Sequence, residues 1–340
     1  MTLKGLLDSS RHAPKDADKL AIGNRQSAIA FIFPGQGSQY AGMGKNLAEQ
    51  FPAARQVFEE ADAALGFALS ELCFNGPAEQ LQLTENTQPA ILTTSVAVLR
   101  AMEAEGFGKP DFVAGHSLGE YTALVCAGSL SLSDAVRTVR ARGRYMQEAV
   151  PVGAGAMAAI LGADLSTVVQ ACAESSDGQV CSPANINSQN QVVIAGDAAA
   201  IDRVVALLKE RGAKRAIKLN VSAPFHCALM KPAQDRLASD LLAITFAELE
   251  IPVVTNVDAK AVTAGNEARD ALVRQVSQTV RWLESVEFLI GHGVQSFIEI
   301  GPGKVLSGLV RQIDRRVSCV NVEDAASLRA AREALLSDKL

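Results

Sequence analysis

Short apolar runs alternate with longer helical periods along the first part of the chain. The run Ala28–Phe33 is apolar at every position, which is typical of a strand buried on both faces of a parallel sheet. The pattern then predicts helices at 46–65 and 88–104, a strand at 112–115, and helices at 118–127 and 133–148, the last capped by Ser133. Because strands alternate with helices, we expect an α/β domain with a mostly parallel sheet covered on both faces.

Shorter elements replace this pattern between residues 153 and 222. They are predicted strands at 157–161, 180–187, 191–195 and 215–221, and predicted helices at 165–174 and 198–211. The order βαββαβ is that of a ferredoxin-like unit. We therefore predict a ferredoxin-like small domain at 153–222, inserted into a larger hydrolase-like α/β domain formed by residues 27–152 and 223–340.

The N-terminal segment, residues 1–26, differs in composition from the rest of the chain. It mixes basic and acidic side chains and lacks the apolar core of a secretory signal. We expect it to be a flexible extension, because chain ends that are not tied to a core are usually poorly ordered.

The overall composition excludes several classes of protein. The 340 residues are 48% hydrophobic, enough for a large core, and carry a formal net charge of −5, whereas nucleic-acid-binding proteins usually have a basic excess on one face. No apolar run approaches the ~20 residues of a membrane span. The six cysteines form no C-x-x-C pair and the four histidines have no zinc-ligand spacing, so we expect free thiols, no metal and a cytoplasmic location.

The segment Gly115-His116-Ser117-Leu118-Gly119 matches the G-x-S-x-G pattern of a nucleophile elbow. A predicted strand ends just before Ser117 and a predicted helix begins just after it, which is the context that the pattern requires. A serine on such a turn exposes its hydroxyl, and the helix N-terminus offers free N–H groups to a developing oxyanion. We therefore predict that Ser117 is a covalent nucleophile.

A serine nucleophile needs a base, and four histidines compete for that role. His12 lies in the N-terminal segment, His116 is adjacent to the serine, and His292 ends a predicted helix beside two glycines, where it can cap the helix. His226 remains, at the predicted junction of the two domains, where clefts form. A lone histidine is more often structural than catalytic, but elimination favours His226 as the base of Ser117.

A glycine-rich loop follows the first strand and contains Gln36. In α/β-hydrolase-like enzymes a loop at this place supplies the second N–H of the oxyanion hole. A simple turn and a dinucleotide-binding loop are the alternatives. The glycines at 35, 37, 42 and 44 do not fit G-x-G-x-x-G, so the dinucleotide-binding alternative fails.

Four arginines lie on the predicted helix at 133–148. They are Arg137, Arg140, Arg142 and Arg144. All of them fit a solvated helix face, and the pattern alone does not choose among them.

Together these segments resemble one family, the malonyl-coenzyme A:acyl carrier protein transacylases of fatty acid and polyketide synthesis. The resemblance runs from about residue 28 to the C-terminal region and rests on seven separate motifs. They are Phe33-Pro34-Gly35-Gln36-Gly37-Ser38-Gln39, Gly115-His116-Ser117-Leu118-Gly119-Glu120-Tyr121, Arg142-Gly143, Asn185-Ile186-Asn187, Pro224-Phe225-His226, Arg274-Gln275 and Ile300-Gly301-Pro302-Gly303.

The resemblance implies a role for each matching residue. Ser117 would be acylated, and His226 would be its general base and acid, oriented by a backbone carbonyl at the position of Gln275. Backbone N–H groups of Gln36 and Leu118 would form the oxyanion hole.

Further positions would contact the substrates. Arg142 would bind the free carboxylate of the malonyl group, with His116, Phe225 and Gln275 also lining the substrate site. Phe225 would fill the space that a methyl branch needs, which favours malonyl over methylmalonyl. Possible contacts with coenzyme A or the carrier come from Lys214, Arg215 and Asn185, although the first two also fit solvated surface charges.

The implied function is ping-pong transfer of a malonyl group from malonyl-CoA to the phosphopantetheine thiol of acyl carrier protein, for fatty acid elongation. Malonyl-CoA and acyl carrier protein would be the partners, with no cofactor, and we expect a monomer. The alternatives are an acyltransferase of a polyketide synthase, a serine esterase or thioesterase of a related fold, and an inactive subunit that binds the carrier.

Overall fold

The computed structural model describes residues 28–336, with side chains up to residue 334. The predicted extension, residues 1–26, lies outside the described residues. The limits of the predicted domains at 152 and 223 stay predictions. No helix within the described range combines the length and the apolar composition needed to cross a membrane.

The larger sheet has six strands, and its neighbours run in the order β10-β9-β1-β2-β7-β8. Its strands are β1 (Ala28–Phe33), β2 (Phe112–Gly115), β7 (Val253–Val254), β8 (Ala261–Val262), β9 (Val294–Ile300) and β10 (Ser318–Val322). All pairs are parallel except β7 with β8, which is antiparallel. The prediction of a mostly parallel sheet is confirmed.

The continuous apolar sequence of β1 follows from burial on both faces of this sheet. Side chains alternate along a strand, and Phe31 and Phe33 pack into the core on one face. Ala30 and Ile32 pack into a second core on the other face. Because neither face meets water, no position of the strand favours a polar residue.

Helices cover both faces of the larger sheet. Before the second sheet they are α1 (Lys45–Gln50), α2 (Pro52–Leu65), α3 (Leu69–Asn75), α4 (Ala78–Leu81), α5 (Thr84–Ala104), α6 (Gly119–Cys126) and α7 (Leu132–Glu148). Ser131, and not Ser133 as predicted, caps α7, because its hydroxyl accepts a hydrogen bond from the Asp134 backbone N–H. The side chain of Ser133 instead donates to Glu60.

The second sheet has four strands in the order β4-β5-β3-β6, and every neighbouring pair is antiparallel. Its elements are β3 (Gly155–Leu161), α8 (Leu165–Ser175), β4 (Cys181–Ser188), β5 (Gln191–Asp197), α9 (Ala198–Glu210) and β6 (Arg215–Lys218). This is the strand order of the ferredoxin-like unit, so the predicted βαββαβ topology is confirmed.

After β6 the chain returns to the larger sheet. The helices of this part are a 3₁₀ turn (Ala228–Met230), α10 (Lys231–Leu242), α11 (Gly265–Gln275), α12 (Trp282–Gly291), α13 (Val305–Ile313) and α14 (Ala325–Leu336).

Backbone hydrogen bonds join the two sheets beside the end of α11. Val280 donates to the carbonyl of Ala184, and Ile186 donates to the carbonyl of Val280, each at 2.9 Å. Strand β4 is therefore bonded to the segment that follows Gln275. This contact brings the second sheet against the carboxyl ends of β1 and β2, where the loops containing Gln36 and Ser117 begin.

Candidate active site

Ser117 occupies a sharp turn between β2 and α6. Its φ of 51° lies in the left-handed region, which costs a non-glycine residue roughly 1–2 kcal/mol. The flanking glycines make the turn possible, because a Cβ on Gly119 would lie 2.1 Å from the Phe33 carbonyl oxygen, and one on Gly115 would lie 1.9 Å from the backbone of Gly119. The elbow therefore packs directly against the end of β1.

The side chain of Asn256 holds this turn from the loop after β7. Its Oδ1 accepts a hydrogen bond from the Ser117 N–H, and its Nδ2 donates to the Gly115 carbonyl, both at 2.7 Å. Asn256 thus bonds the backbone on both sides of the elbow. The sequence interpretation missed this residue, because it contributes a polar side chain from a distant loop and carries no local motif.

His226 lies beside Ser117 and is 4% exposed. Its Nε2 is 2.7 Å from the serine Oγ, and its Nδ1 is 2.9 Å from the backbone oxygen of Gln275. Because a carbonyl can only accept, Nδ1 carries the proton and Nε2 is free to accept one from the serine. Gln275 is the last residue of α11, where carbonyls have no helical partner and can bind a side chain.

The imidazole of His226 is held in its neutral form. Its pKa is lowered from 6.5 to about 3. Burial is the main cause, and the positive charge of Arg142 is the second. A neutral imidazole is the form that can remove a proton from a hydroxyl.

Arg142 points from α7 into the same site and is 2% exposed. Its Nη1 donates to Gln88 Oε1 at 2.7 Å, while its Nη2 donates to Gln275 Oε1 at 2.9 Å and to the Ser117 hydroxyl at 3.1 Å. Both amide partners are neutral, and no carboxylate in the described part of the chain forms an ion pair with this guanidinium. The arrangement leaves a buried positive charge next to the nucleophile.

The other three arginines of α7 lie elsewhere. Arg137 pairs with Asp134, Arg140 stacks on the Phe67 ring, and Arg144 is exposed. The geometry therefore separates Arg142 from its neighbours, which the sequence pattern could not do.

A cavity of about 120 Å³ opens onto these groups. Besides Ser117, His226 and Arg142, it is lined by the predicted residues Gln36, Leu118, His116, Phe225 and Asn185, and by Gln88, Met146, Met157, Leu219 and Val221. Gln275 does not line the cavity itself, but its side-chain oxygen contacts Arg142 Nη2. Lys214 and Arg215 are exposed and do not line this cavity.

His116 faces away from Ser117 on the turn. Its Nε2 lies 2.9 Å from Asn187 Oδ1, and its ring centroid lies 5.7 Å from that of Trp282. Burial lowers its pKa, so the neutral ring donates to the amide oxygen. The contact links the elbow to β4 of the second sheet.

Glu120 lies one helical turn after Ser117 and is completely buried. Its Oε2 accepts hydrogen bonds from the Asn256 N–H at 2.9 Å and from Gln275 Nε2 at 2.8 Å. The sequence interpretation passed over Glu120 and Gln88. In both cases the available signal was a long polar residue within a helix that is otherwise buried.

No group of three or more histidine, cysteine, aspartate or glutamate side chains between residues 28 and 336 is arranged to hold a metal ion.

The fold and the serine elbow are those of an acyl transferase. The family model described as the acyl transferase domain matches residues 30–331. Malonyl CoA-acyl carrier protein transacylase from Escherichia coli K12 is 52% identical over 305 residues, covering 90% of this chain and 99% of that protein. The protein of the same name from Bacillus subtilis is 51% identical over 310 residues, covering 91% and 98%.

Solved structures give the same result. An acyl carrier protein S-malonyltransferase from Vibrio cholerae superposes with a TM-score of 0.88 at 50% identity, covering 90% of this chain and all of that one. A malonyl-transacylase solved with its type II polyketide synthase acyl-carrier protein also gives 0.88 at 50% identity, covering 90% and 99%. The chain belongs to the malonyl CoA-acyl carrier protein transacylase family.

Proposed function

We propose that this chain transfers malonyl groups from malonyl-CoA to the phosphopantetheine thiol of acyl carrier protein through an acyl-serine intermediate. The observation that carries the proposal is the position of the Ser117 hydroxyl, 2.7 Å from a neutral imidazole and 3.1 Å from a buried guanidinium that forms no ion pair with a carboxylate of residues 28–334. The imidazole of His226 activates the serine, and the guanidinium of Arg142 can bind an acyl group that ends in a carboxylate.

In the first half-reaction Ser117 becomes acylated. His226 Nε2 takes the hydroxyl proton as the serine Oγ attacks the thioester carbonyl. The oxyanion of the tetrahedral intermediate accepts hydrogen bonds from the backbone N–H groups of Gln36 and Leu118, which line the same cavity. When the intermediate collapses, the C–S bond breaks and the coenzyme A sulfur leaves with the proton from His226.

In the second half-reaction the carrier thiol enters. It gives its proton to His226 and attacks the malonyl-serine ester, and the serine oxygen leaves and regains the proton. All proton transfers are carried by one histidine, so the reaction as proposed requires no cofactor. Water has to be kept from the acyl-enzyme, because hydrolysis would release free malonate.

Arg142 selects the acyl group. A guanidinium binds a carboxylate with two parallel hydrogen bonds, and a charge-assisted hydrogen bond is worth about 1.5–3 kcal/mol. That corresponds to roughly tenfold to hundredfold preference over an acetyl group. Phe225, which lines the cavity and is 8% exposed, fills the space that a methyl branch would need.

The chain would act in the cytoplasm, as a monomer, in fatty acid elongation. The bacterial relatives named above support the elongation role. A polyketide carrier is the second candidate, favoured by the structural relative solved with such a carrier. Asn185, in the cavity wall, and the exposed Lys214 and Arg215 are the residues we propose for contact with coenzyme A or the carrier.

The direct test is intact-mass analysis after incubation with malonyl-CoA. We expect a malonyl adduct on the wild-type chain and on Ser133→Ala, which removes another serine hydroxyl, but none on Ser117→Ala. An adduct that persists on Ser117→Ala contradicts the nucleophile assignment. Release of free malonate in place of transfer to holo acyl carrier protein would favour the esterase or thioesterase alternative, and transfer to polyketide carriers alone would favour the second candidate.

A further inference from the structure

One buried carboxylate has no part in the mechanism above. Glu120 is 0% exposed, in the first turn of α6. Its two oxygens have different surroundings. Oε2 accepts two hydrogen bonds, from the Asn256 N–H and from Gln275 Nε2, whereas Oε1 is buried without a partner in the described part of the chain. A buried polar oxygen without a partner is unfavourable, and its retention calls for a functional reason.

The side-chain amide of Gln275 connects this carboxylate to Arg142. Its Nε2 donates to Glu120 Oε2 at 2.8 Å and to the Ser117 backbone oxygen at 2.9 Å. The Ser117 backbone oxygen can only accept, and Glu120 Oε2, which already accepts from the Asn256 N–H, is an acceptor as well, so the NH₂ group faces both of them. The amide oxygen is then turned toward Arg142 Nη2, 2.9 Å away.

The reverse orientation of the amide would place its NH₂ group against the guanidinium, donor facing donor, and would leave Nη2 without this acceptor. Glu120 and the Ser117 carbonyl together therefore decide which end of the amide Arg142 meets. The backbone oxygen of the same residue holds His226 Nδ1, so Gln275 orients both the base and the guanidinium.

We propose that Glu120 is a positioning residue that fixes the Gln275 amide and thereby places the Arg142 guanidinium for a substrate carboxylate. The inference rests on the proposed function, since it concerns the choice between malonyl and acetyl groups. Glu120 does not line the cavity, and its hydrogen-bonded link to Arg142 passes through Gln275, while its other hydrogen bond, from the Asn256 N–H, supports the loop that holds the elbow.

The test compares acylation by malonyl-CoA with acylation by acetyl-CoA, which has no carboxylate for Arg142. Glu120→Met keeps much of the volume but removes the acceptor. We expect its malonyl-to-acetyl ratio of kcat/KM to fall about threefold to tenfold, the effect of losing one buried hydrogen bond while the Ser117 carbonyl still holds the amide. Glu120→Gln retains an acceptor oxygen in the place of Oε2 and should restore most of the ratio.

A double-mutant cycle with Gln275 separates positioning from a general loss of structure. Gln275→Met keeps the backbone carbonyl that holds His226 but removes the amide, so it should lower the ratio by itself. Adding Glu120→Met should then change the ratio by less than twofold, because the residue through which Glu120 acts is gone.

Three results would overturn the proposal: an equal loss of malonyl and acetyl acylation in Glu120→Met, no rescue by Glu120→Gln, or the same drop in ratio with and without Gln275. Thermal unfolding checks that each variant is folded, and if Glu120→Met does not fold, Glu120→Leu, which also lacks the acceptor, takes its place in both backgrounds. If the wild-type chain is not acylated by malonyl-CoA at all, the proposed function itself fails, and that outcome is visible before any variant is made.

Discussion

Arg142 Nη2 and Ser117 Oγ lie 3.1 Å apart, so the guanidinium that is proposed to bind the substrate carboxylate is hydrogen bonded to the nucleophile. The serine oxygen also lies 2.7 Å from His226 Nε2. The hydroxyl thus accepts from one side and donates on the other, which fixes its direction before a substrate arrives.

Removal of Arg142 should lower acylation by malonyl-CoA much more than acylation by acetyl-CoA. For Arg142→Ala we expect kcat/KM with malonyl-CoA to fall about tenfold to hundredfold, while acylation by acetyl-CoA is spared or rises. Arg144→Ala, two residues away on the exposed side of α7, is the matched control and should leave both values close to wild type. Equal loss with both acyl groups would contradict the role in carboxylate binding.

The elbow should tolerate no side chain at Gly119. A methyl group there would lie 2.1 Å from the Phe33 carbonyl oxygen, so Gly119→Ala has to push the turn away from β1. We expect a loss of about 1–3 kcal/mol in the free energy of unfolding and loss of acylation. The control is Gly308→Ala in α13, where the new Cβ meets nothing within 4 Å and alanine favours the helix by up to about 1 kcal/mol. Wild-type acylation by Gly119→Ala would refute the close approach.

Acylation should remain fast at acid pH. Burial and the charge of Arg142 lower the pKa of His226 to about 3, so the base stays neutral well below the ordinary histidine pKa of about 6.5. With p-nitrophenyl acetate as a neutral reporter of Ser117, we expect the acid limb of kcat/KM to lie below about pH 5. Circular dichroism at each pH checks that the chain is folded.

The pH dependence of kcat/KM with p-nitrophenyl acetate should be different in Arg142→Ala. Without the nearby positive charge the imidazolium is less unfavourable, so the acid limb should move toward higher pH. A limb that stays in place would show that Arg142 does not act on His226.

Glu120 and His226 should affect stability in opposite directions as the pH falls. Burial raises the pKa of Glu120 from 4.5 to about 7, although the hydrogen bonds from the Asn256 N–H and the Gln275 amide, and then the charge of Arg142, act to lower it. The folded state therefore holds this proton more tightly than the unfolded state, and the stability it contributes is lost as the pH rises through 7. The lowered pKa of His226 has the reverse effect, since its contribution is lost as the pH falls from 6.5 toward 3.

Glu120→Gln removes the first of these effects. The melting temperature of the variant relative to wild type should rise with pH between about 4.5 and 7.5, because only the wild type loses stability from this carboxyl group. Thermal unfolding at a series of pH values measures the difference. Glu79→Gln at an exposed position is the control, and a difference for Glu120→Gln that does not vary with pH would contradict the raised pKa.

The nucleophile and the fold class could be predicted from the sequence because their signals are local. An apolar run, a pair of glycines and a helix start surround Ser117 within a few residues. His226 came from elimination among four histidines, and the choice of Arg142 came from family resemblance, since its helix carries three similar arginines.

The partners that hold these groups could not be predicted, because the contacts join distant parts of the chain. Asn256 and Gln88 meet the site only after the sheet and its helices have assembled. Glu120 is close to Ser117 in the sequence, but its partners Asn256 and Gln275 are not. Short elements were missed for a different reason. Strand β10 has no continuous apolar run, since Ser318 and Asn321 interrupt it, and β8 has only two residues. A strand of two residues is too short for a period to be recognised.

Strand β9 lies between β1 and β10 in the larger sheet, and this order has a consequence during synthesis of the chain. The strand Ala28–Phe33 leaves the ribosome long before residues 294–300, which pair with one of its two edges. Until then the backbone groups along that edge lack their strand partner and are open to pairing with other chains. A nascent chain that stops before residue 294 is therefore an aggregation-prone species, although it already contains Ser117, His226 and Arg142.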